Sequence, residues 1–521
     1  MPGKELQIPN LHPSHRTSSR YDGQDAELSS SFTGRLESFV GSYSRTSLMH
    51  MAENVVVPEG GMTDDEDDHS SLHSSYLPRY ENTSRRNSDG TIHERTPLFP
   101  NLQKIDTCNS IMTVADNYPS TQVTHAKSSF TQSIFNSINI LIGVGILALP
   151  LGFKCAGWLV GVFVFAFCFG LTNYTAKLLA KCLDADPDSR TYGDMGSYAF
   201  GIRGRFFISI LFLTELVTCS VALVVLLSDG IDSLFPGHDP IFYRLVSFLI
   251  LTPTLFIPVR HLSYTSLLGI LSVFALLVVI IYDGLSKEEA PGSLHEMADT
   301  SFFPEDWMTV PMSFGLIMAG FAGHAVFPTI YRDMNTPRDF NQMVNYTYVV
   351  TSIVYMTVAA CGYAMFGSAT MQEITQNLVT IPQYNQVLNR LAVWLIAMNP
   401  IAKYGLTLNP VVLSWQLGLQ NNQAVEHWFS RGSWRKPVVK TLGVILTSAF
   451  IVVLAYLLPN FDKIMSLLGA FFSFVISGIF PMMCHLKLFG DTISRKEIAL
   501  TWTLITIAAT MGITGTICSL L

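Results

Sequence analysis

Ionisable side chains are rare inside the apolar stretches of this chain, and three stand out. Lys403, Glu215 and His324 each lie in a run of apolar residues long enough to cross a bilayer. A charge at that depth is costly unless it is paired or neutralised, so each is a functional candidate by default. Asn399, Pro400 and Thr407 share the helix face of Lys403, at spacings of three and four. Lys403 could hold a fixed positive charge at a binding site. Alternatively it could snorkel to the membrane edge, or cap carbonyls freed by Pro400. Glu215 could carry a proton, or pair structurally with Lys403 or a polar neighbour. His324 could exchange a proton near physiological pH, or serve as a hydrogen-bonded structural group.

The segments around these residues carry an unusual backbone chemistry. Asn139-Ile-Leu-Ile-Gly143-Val-Gly145-Ile-Leu-Ala-Leu-Pro150 places two glycines and a proline in the middle of the first long apolar run. Glycine weakens a helix and proline removes a backbone donor, while lipid offers no water to replace the lost bond. A second run, Gly315-Leu-Ile-Met-Ala-Gly320-Phe-Ala-Gly323-His324-Ala-Val-Phe-Pro328, repeats the flaw. Small-residue packing between helices explains either run singly. Two interrupted spans in corresponding halves instead point to a secondary transporter with its substrate site near the midplane.

Such a site could hold an anionic and a cationic group at once. The N–H groups opening the second half of the first run, near Gly145 and Ile146, fit a carboxylate. The carbonyls of Phe321, Ala322 and Gly323 fit an ammonium. Glycines at 143, 145, 320 and 323 let backbone approach ligand closely. Asn139, one turn before Gly143, could cap the break, touch substrate, or make an interhelical hydrogen bond.

Composition supports a membrane setting. Only 14% of the 521 residues are charged and 49% are hydrophobic, against about a quarter charged in soluble proteins. Residues 1–127 differ sharply, with 11 Lys/Arg, 17 Asp/Glu and no sustained apolar periodicity. They are expected to form a disordered cytosolic tail, since they lack the apolar core of a secretory signal. The eight cysteines show no metal-ligand spacing and read as small apolar packing residues. No metal or cofactor is implied. Neither a nucleophile elbow nor a phosphate loop is present, which argues against an enzyme.

Eleven spans are expected, at 130–152, 157–179, 206–228, 241–258, 263–283, 309–331, 344–366, 389–414, 438–458, 464–486 and 498–520. A cytosolic tail then puts most loop Lys and Arg on the inside, as the positive-inside rule requires, and leaves the C-terminus on the other face. The sequons at Asn82, Asn173 and Asn345 fall in the tail or in or beside spans, so none should be glycosylated. The broken spans are the first and the sixth. Each half therefore holds five spans in inverted orientation, and the eleventh is left as a peripheral helix.

Several of these residues also resemble a known family. NILIGVGILALPLGFKCAGW (139–158), TYGDMGSYAFGIRGR (191–205) and GFAGHAVFP (320–328) resemble the amino acid/auxin permease family. NPIAKYGLTLNPV (399–411) and SLLGILS (266–272) look most like its fungal vacuolar amino acid transporters, which load the vacuole in exchange for protons. The vesicular inhibitory amino acid transporter of neurons is a looser likeness. The resemblance covers about 128–521. It implies an all-α membrane protein with a LeuT-like 5+5 inverted repeat, neutral amino acid substrates and proton coupling. In sodium-coupled relatives of that fold, span 8 helps hold a sodium ion against span 1. The ammonium of Lys403, with Thr407 beside it, could take that ion's place, which argues against a sodium-coupled symporter.

The tail carries signals rather than chemistry. Glu94, Leu98 and Phe99 resemble an acidic dileucine signal read by vesicle-sorting adaptors, with Phe99 in place of the usual second Leu or Ile. Ser88 follows a basic pair and Thr63 precedes an acidic run, as phosphorylation sites do. An amino acid sensor signalling through this tail is the competing function. Nothing suggests a nucleic-acid partner.

Overall fold

A computed structural model describes residues 127–521, apart from Asp188, Arg190, Pro258, Asn421 and Asn422. The tail positions Thr63, Ser88, Glu94, Leu98 and Phe99 lie outside the described residues. The described part is all helical, its only bridge being Ser128 with Met334. In chain order the helices are α1 (Phe130–Leu141), α2 (Leu149–Asp184), α3 (Tyr192–Phe200), α4 (Ile202–Leu234) and α5 (Pro240–Leu251). There follow α6 (Val259–Ser286), α7 (Val310–Gly320), α8 (Phe327–Asp333), α9 (Phe340–Phe366), α10 (Ile374–Thr380) and α11 (Gln386–Gln420). The chain closes with α12 (Gln423–Ser430), α13 (Arg435–Leu457), α14 (Phe461–Leu467), α15 (Phe480–Phe489) and α16 (Arg495–Leu520).

Among the described residues, nine helical stretches are long and apolar enough to cross a membrane, and Pro240–Phe256 is a shorter apolar one. This departs from a simple series of eleven spans at the expected fourth, 241–258, whose helix is short, and at the first two. The first run is split, so that α1 stands apart from the stretch Val144–Asp184. The second half of the first run then continues into the second span through a kink at Gly157, where φ is 69°. A Cβ there would lie 2.7 Å from the Phe303 carbonyl carbon, so glycine is required for both the conformation and the space.

The two broken runs lie side by side and run in opposite directions. Near the start of α1, the Ser128 N–H donates to the Asp333 carbonyl at the end of α8, at 2.8 Å. Further along, a Cβ on Gly145 would sit 3.3 Å from the Ala319 oxygen and the Gly320 nitrogen. At the far end, the Thr309 hydroxyl donates to the Cys155 carbonyl at 3.3 Å. This antiparallel register puts both breaks at one depth. Around them, α11 packs on α4 and α6, and α9 packs on α2. A π-helical stretch, Leu468–Ile479, joins α14 to α15 and packs against α7. Wider helices of this kind commonly mark functional positions.

Candidate functional site

Both breaks show the expected irregular backbone. The helix α1 ends at Leu141, and Ile142 leaves it with ψ at 87°. A 3-10 turn, Val144–Ala148, restarts the run with no side-chain cap, so its first N–H groups face the break. In the sixth run, α7 ends at Gly320 and a 3-10 turn, His324–Val326, leads into α8.

Two side chains from elsewhere fasten these ends. The Tyr355 hydroxyl of α9 lies against the Leu141 carbonyl and, at 2.8 Å, against the Gly320 carbonyl. One hydroxyl thus touches the last helical carbonyls of both broken halves. Lys403 of α11 donates from Nζ to the Ile142 carbonyl at 3.2 Å. The position of a Cβ on Gly143 is 3.8 Å from the same Nζ, with nothing nearer, so Gly143 borders open space beside a cation. Lys403 therefore neither snorkels nor caps the carbonyls around Pro400; it reaches across to span 1.

The other sequence candidates divide. Gly145 borders the span 6 backbone and not an open space, while Gly320 packs against the Tyr355 ring and Gly323 against Leu141 and Ile140. Ile146 and Phe321 are fully buried, Asn139 is buried in the last turn of α1, and Ala322 is half-buried. The Thr407 hydroxyl turns back to the Lys403 carbonyl at 2.9 Å, within its own helix. Asn399 reaches the Gly269 carbonyl on α6 at 3.4 Å and so does not serve Lys403. Glu215 on α4 is half-buried and forms no ion pair with Lys403 among the described residues. Cys219, one turn further on, is within electrostatic reach of both. Fully buried His324 meets the Thr175 hydroxyl and the Thr172 carbonyl from Nε2, both at 3.0 Å, and its Nδ1 has no partner. The sequon residues Asn173 and Asn345 bond to each other at 3.3 Å.

Sequence reasoning missed Tyr355 and the rings beside it. Phe321 lies 5.5 Å from Tyr355 and 5.3 Å from Phe165, and stacks on Tyr348 at 6.2 Å. A tyrosine in mid-span must find a partner for its hydroxyl, and that was the available signal.

A broken pair of antiparallel helices, with uncapped N–H groups, carbonyls and one cation between them, can hold a small zwitterion. Residues 126–521 match the family described as transmembrane amino acid transporter protein. The chain belongs to this family. It is 32% identical over 403 residues to the Arabidopsis thaliana amino acid transporter AVT1B, covering 75% of this chain and 70% of that one. Amino acid transporter AVT1D of the same plant is 30% identical over 406 residues, covering 74% and 69%. Among solved structures, MhsT in complex with L-phenylalanine aligns with a TM-score of 0.48 at 10% identity, over 74% of this chain and 98% of that one. Mhp1, a nucleobase-cation-symport-1 family transporter with bromovinylhydantoin bound, aligns at 0.44 and 13%, over 76% and 91%. By its family match and its relatives, the protein is a multi-pass membrane protein of a transporter family, not an enzyme family.

Proposed function

We propose that this transporter exchanges neutral amino acids for protons across the vacuolar membrane, with its N-terminus cytosolic and its C-terminus lumenal. The observation that carries the reading is the meeting of the two broken runs, antiparallel and at one depth, with the Lys403 ammonium on the Ile142 carbonyl. We read the fold as a LeuT-like 5+5 inverted repeat with α16 as an eleventh, peripheral helix. The substrate carboxylate faces the N–H groups of Val144 to Ile146, and its ammonium faces the carbonyls of Phe321 and Ala322. The Gly323 carbonyl already accepts from Val326 at 3.1 Å and contributes less. Lys403 holds the place of a coupling cation, which removes the need for sodium. Glu215 and His324 are the proton-coupling candidates within the spans.

The vacuolar address rests on the resemblance of the 399–411 and 266–272 runs and on the tail signal at Glu94, Leu98 and Phe99. Uptake by purified protein in liposomes tests the whole reading. A panel of amino acids is offered under an imposed proton gradient or an imposed sodium gradient. Accumulation driven by protons and indifferent to sodium is the expected result. Sodium-driven uptake at constant pH would reject it and favour a symporter.

A further inference from the structure

A second cluster of charges sits at the far end of the bundle, away from the breaks. Arg244 of α5 donates from Nη1 to Asp229 of α4 at 3.3 Å and to the Val225 carbonyl at 3.2 Å, and from Nη2 to the Pro459 carbonyl at 3.5 Å. Its side chain is 7% exposed and that of Asp229 is 23% exposed. Glu373, the residue before α10, is 1% exposed. One Glu373 oxygen accepts from the Thr375 hydroxyl at 3.2 Å, and the other has no partner. Asp229 and Arg244 are the charges that act on Glu373. Asp232, further along α4, is exposed and acts on Arg244. On the neighbouring elements, Arg390 of α11 is exposed, and Asp462 and Lys463 of α14 are half-buried.

Two carboxyls thus share one buried guanidinium, and that guanidinium is already committed to Asp229. An ionised carboxylate as buried as Glu373, with one hydrogen bond, is expensive to keep. Burial, and then Asp229, push its carboxyl well above the usual carboxylate range, while Thr375 and Arg244 pull the other way. The place of this group in the fold gives it leverage. Ile374, the next residue, meets Pro150 of α2 at Gly362 of α9, so α10 caps the stretch that follows the first break. Gln372, the residue before, accepts from the Phe461 N–H that opens α14, at 3.2 Å.

We propose that Glu373 is a binding site for a lumenal proton, and that the proton holds α10 closed over the broken segment. This rests on the exchange reading above and deepens it. The buried, closed arrangement favours the neutral carboxyl, so acidification favours closure. Raising lumenal pH ionises Glu373 and favours an open α10 that lets water reach the carboxylate. An antiporter needs that order: it releases substrate to the lumen, takes a proton there, and closes.

The test is transport by full-length protein in liposomes, with lumenal pH varied from about 5 to about 7.5 and amino acid binding measured in parallel. In Glu373→Gln the pH dependence should vanish, leaving net proton-driven flux about ten-fold lower or more, with binding retained. Thr375→Ala removes the hydrogen bond to the carboxylate and should move the midpoint of the pH profile upward by about one unit. A Glu373→Gln protein with the wild-type pH profile overturns the inference. If that variant is inactive or fails to bind amino acid, Thr375→Ala decides: a midpoint that does not move overturns it. A wild-type protein with no proton dependence at all refutes the exchange reading instead.

Discussion

Replacing Tyr355 by Phe removes one oxygen and leaves every ring contact in place. That oxygen is fully buried and lies against the carbonyls of Leu141 and Gly320, the ends of the two broken halves. The Phe321 ring at 5.5 Å still has its neighbour, so packing changes little. A buried hydrogen bond lost with its acceptors left unsatisfied costs about 1–3 kcal/mol. At about 1.4 kcal/mol per decade, that is roughly a five- to hundred-fold change in an equilibrium constant. If the hydroxyl holds the breaks in the arrangement that binds substrate, affinity should fall by about thirty-fold, the middle of that range. Equilibrium binding of a transported amino acid to purified Tyr355→Phe protein measures this, with a melting curve to confirm folding. A folded variant whose affinity changes by less than about two-fold would show that the breaks hold their form without it.

Other outcomes follow from the same geometry. Lys403→Ala and Lys403→Arg should both lose proton-driven transport, because the compact ammonium on the Ile142 carbonyl is gone or replaced by a planar fork; flux against pH and sodium reads this, and a near wild-type Ala variant removes Lys403 from the mechanism. Lys403→Thr should gain weak sodium dependence in the same assay, and unchanged ion dependence would count against a cation-replacing role. Gly145→Val forces a side chain against the Ala319 and Gly320 backbone, 3.3 Å from its Cβ, and should abolish binding, whereas Gly143→Ala has room at 3.8 Å and should fold and bind. Changing Leu98 and Phe99 to Ala should misroute the protein while leaving liposome activity intact, and unaltered vacuolar localisation rejects the sorting signal.

The breaks were readable because glycine and proline report backbone trouble wherever lipid surrounds it. Gly143, Gly320 and Pro328 needed no partner to be informative. Lys403 was conspicuous for the same reason, since a charge in an apolar run demands an account. Its partner was not readable, because the Ile142 carbonyl belongs to a break 261 residues away in the chain. Gly145 shows the opposite limit: glycine marks a close approach but does not say whether ligand or protein makes it. Thr407 had the right spacing, yet a hydroxyl in a helix can always satisfy itself on its own backbone, and this one does. The Arg244 cluster escaped notice because its members sit at span ends and in a loop, where charges are ordinary. Only the fold removes Glu373 from water. The continuous passage from the first run into the second depended on Gly157, whose positive φ lets one helix bend into the next without a loop.

Gly315 and Gly469 meet so closely that a Cβ on Gly469 would lie 1.8 Å from the Gly315 oxygen. The last helix joins the same contact: a Cβ on Gly515 would lie 2.9 Å from the Pro311 oxygen, and Ser519 bonds Ser466 at 2.7 Å. Main chain resting on main chain leaves no side chains to bend or change rotamer, so α7, the π-helical stretch and α16 are packed as one tight unit. Any displacement of α7 would therefore carry the final helix, and the contact it makes with its surroundings, along with it. By contrast the two short gaps, Ile142–Gly143 and Phe321–Gly323, have no such backbone seam, and a hydroxyl and an ammonium fasten the ends beside them.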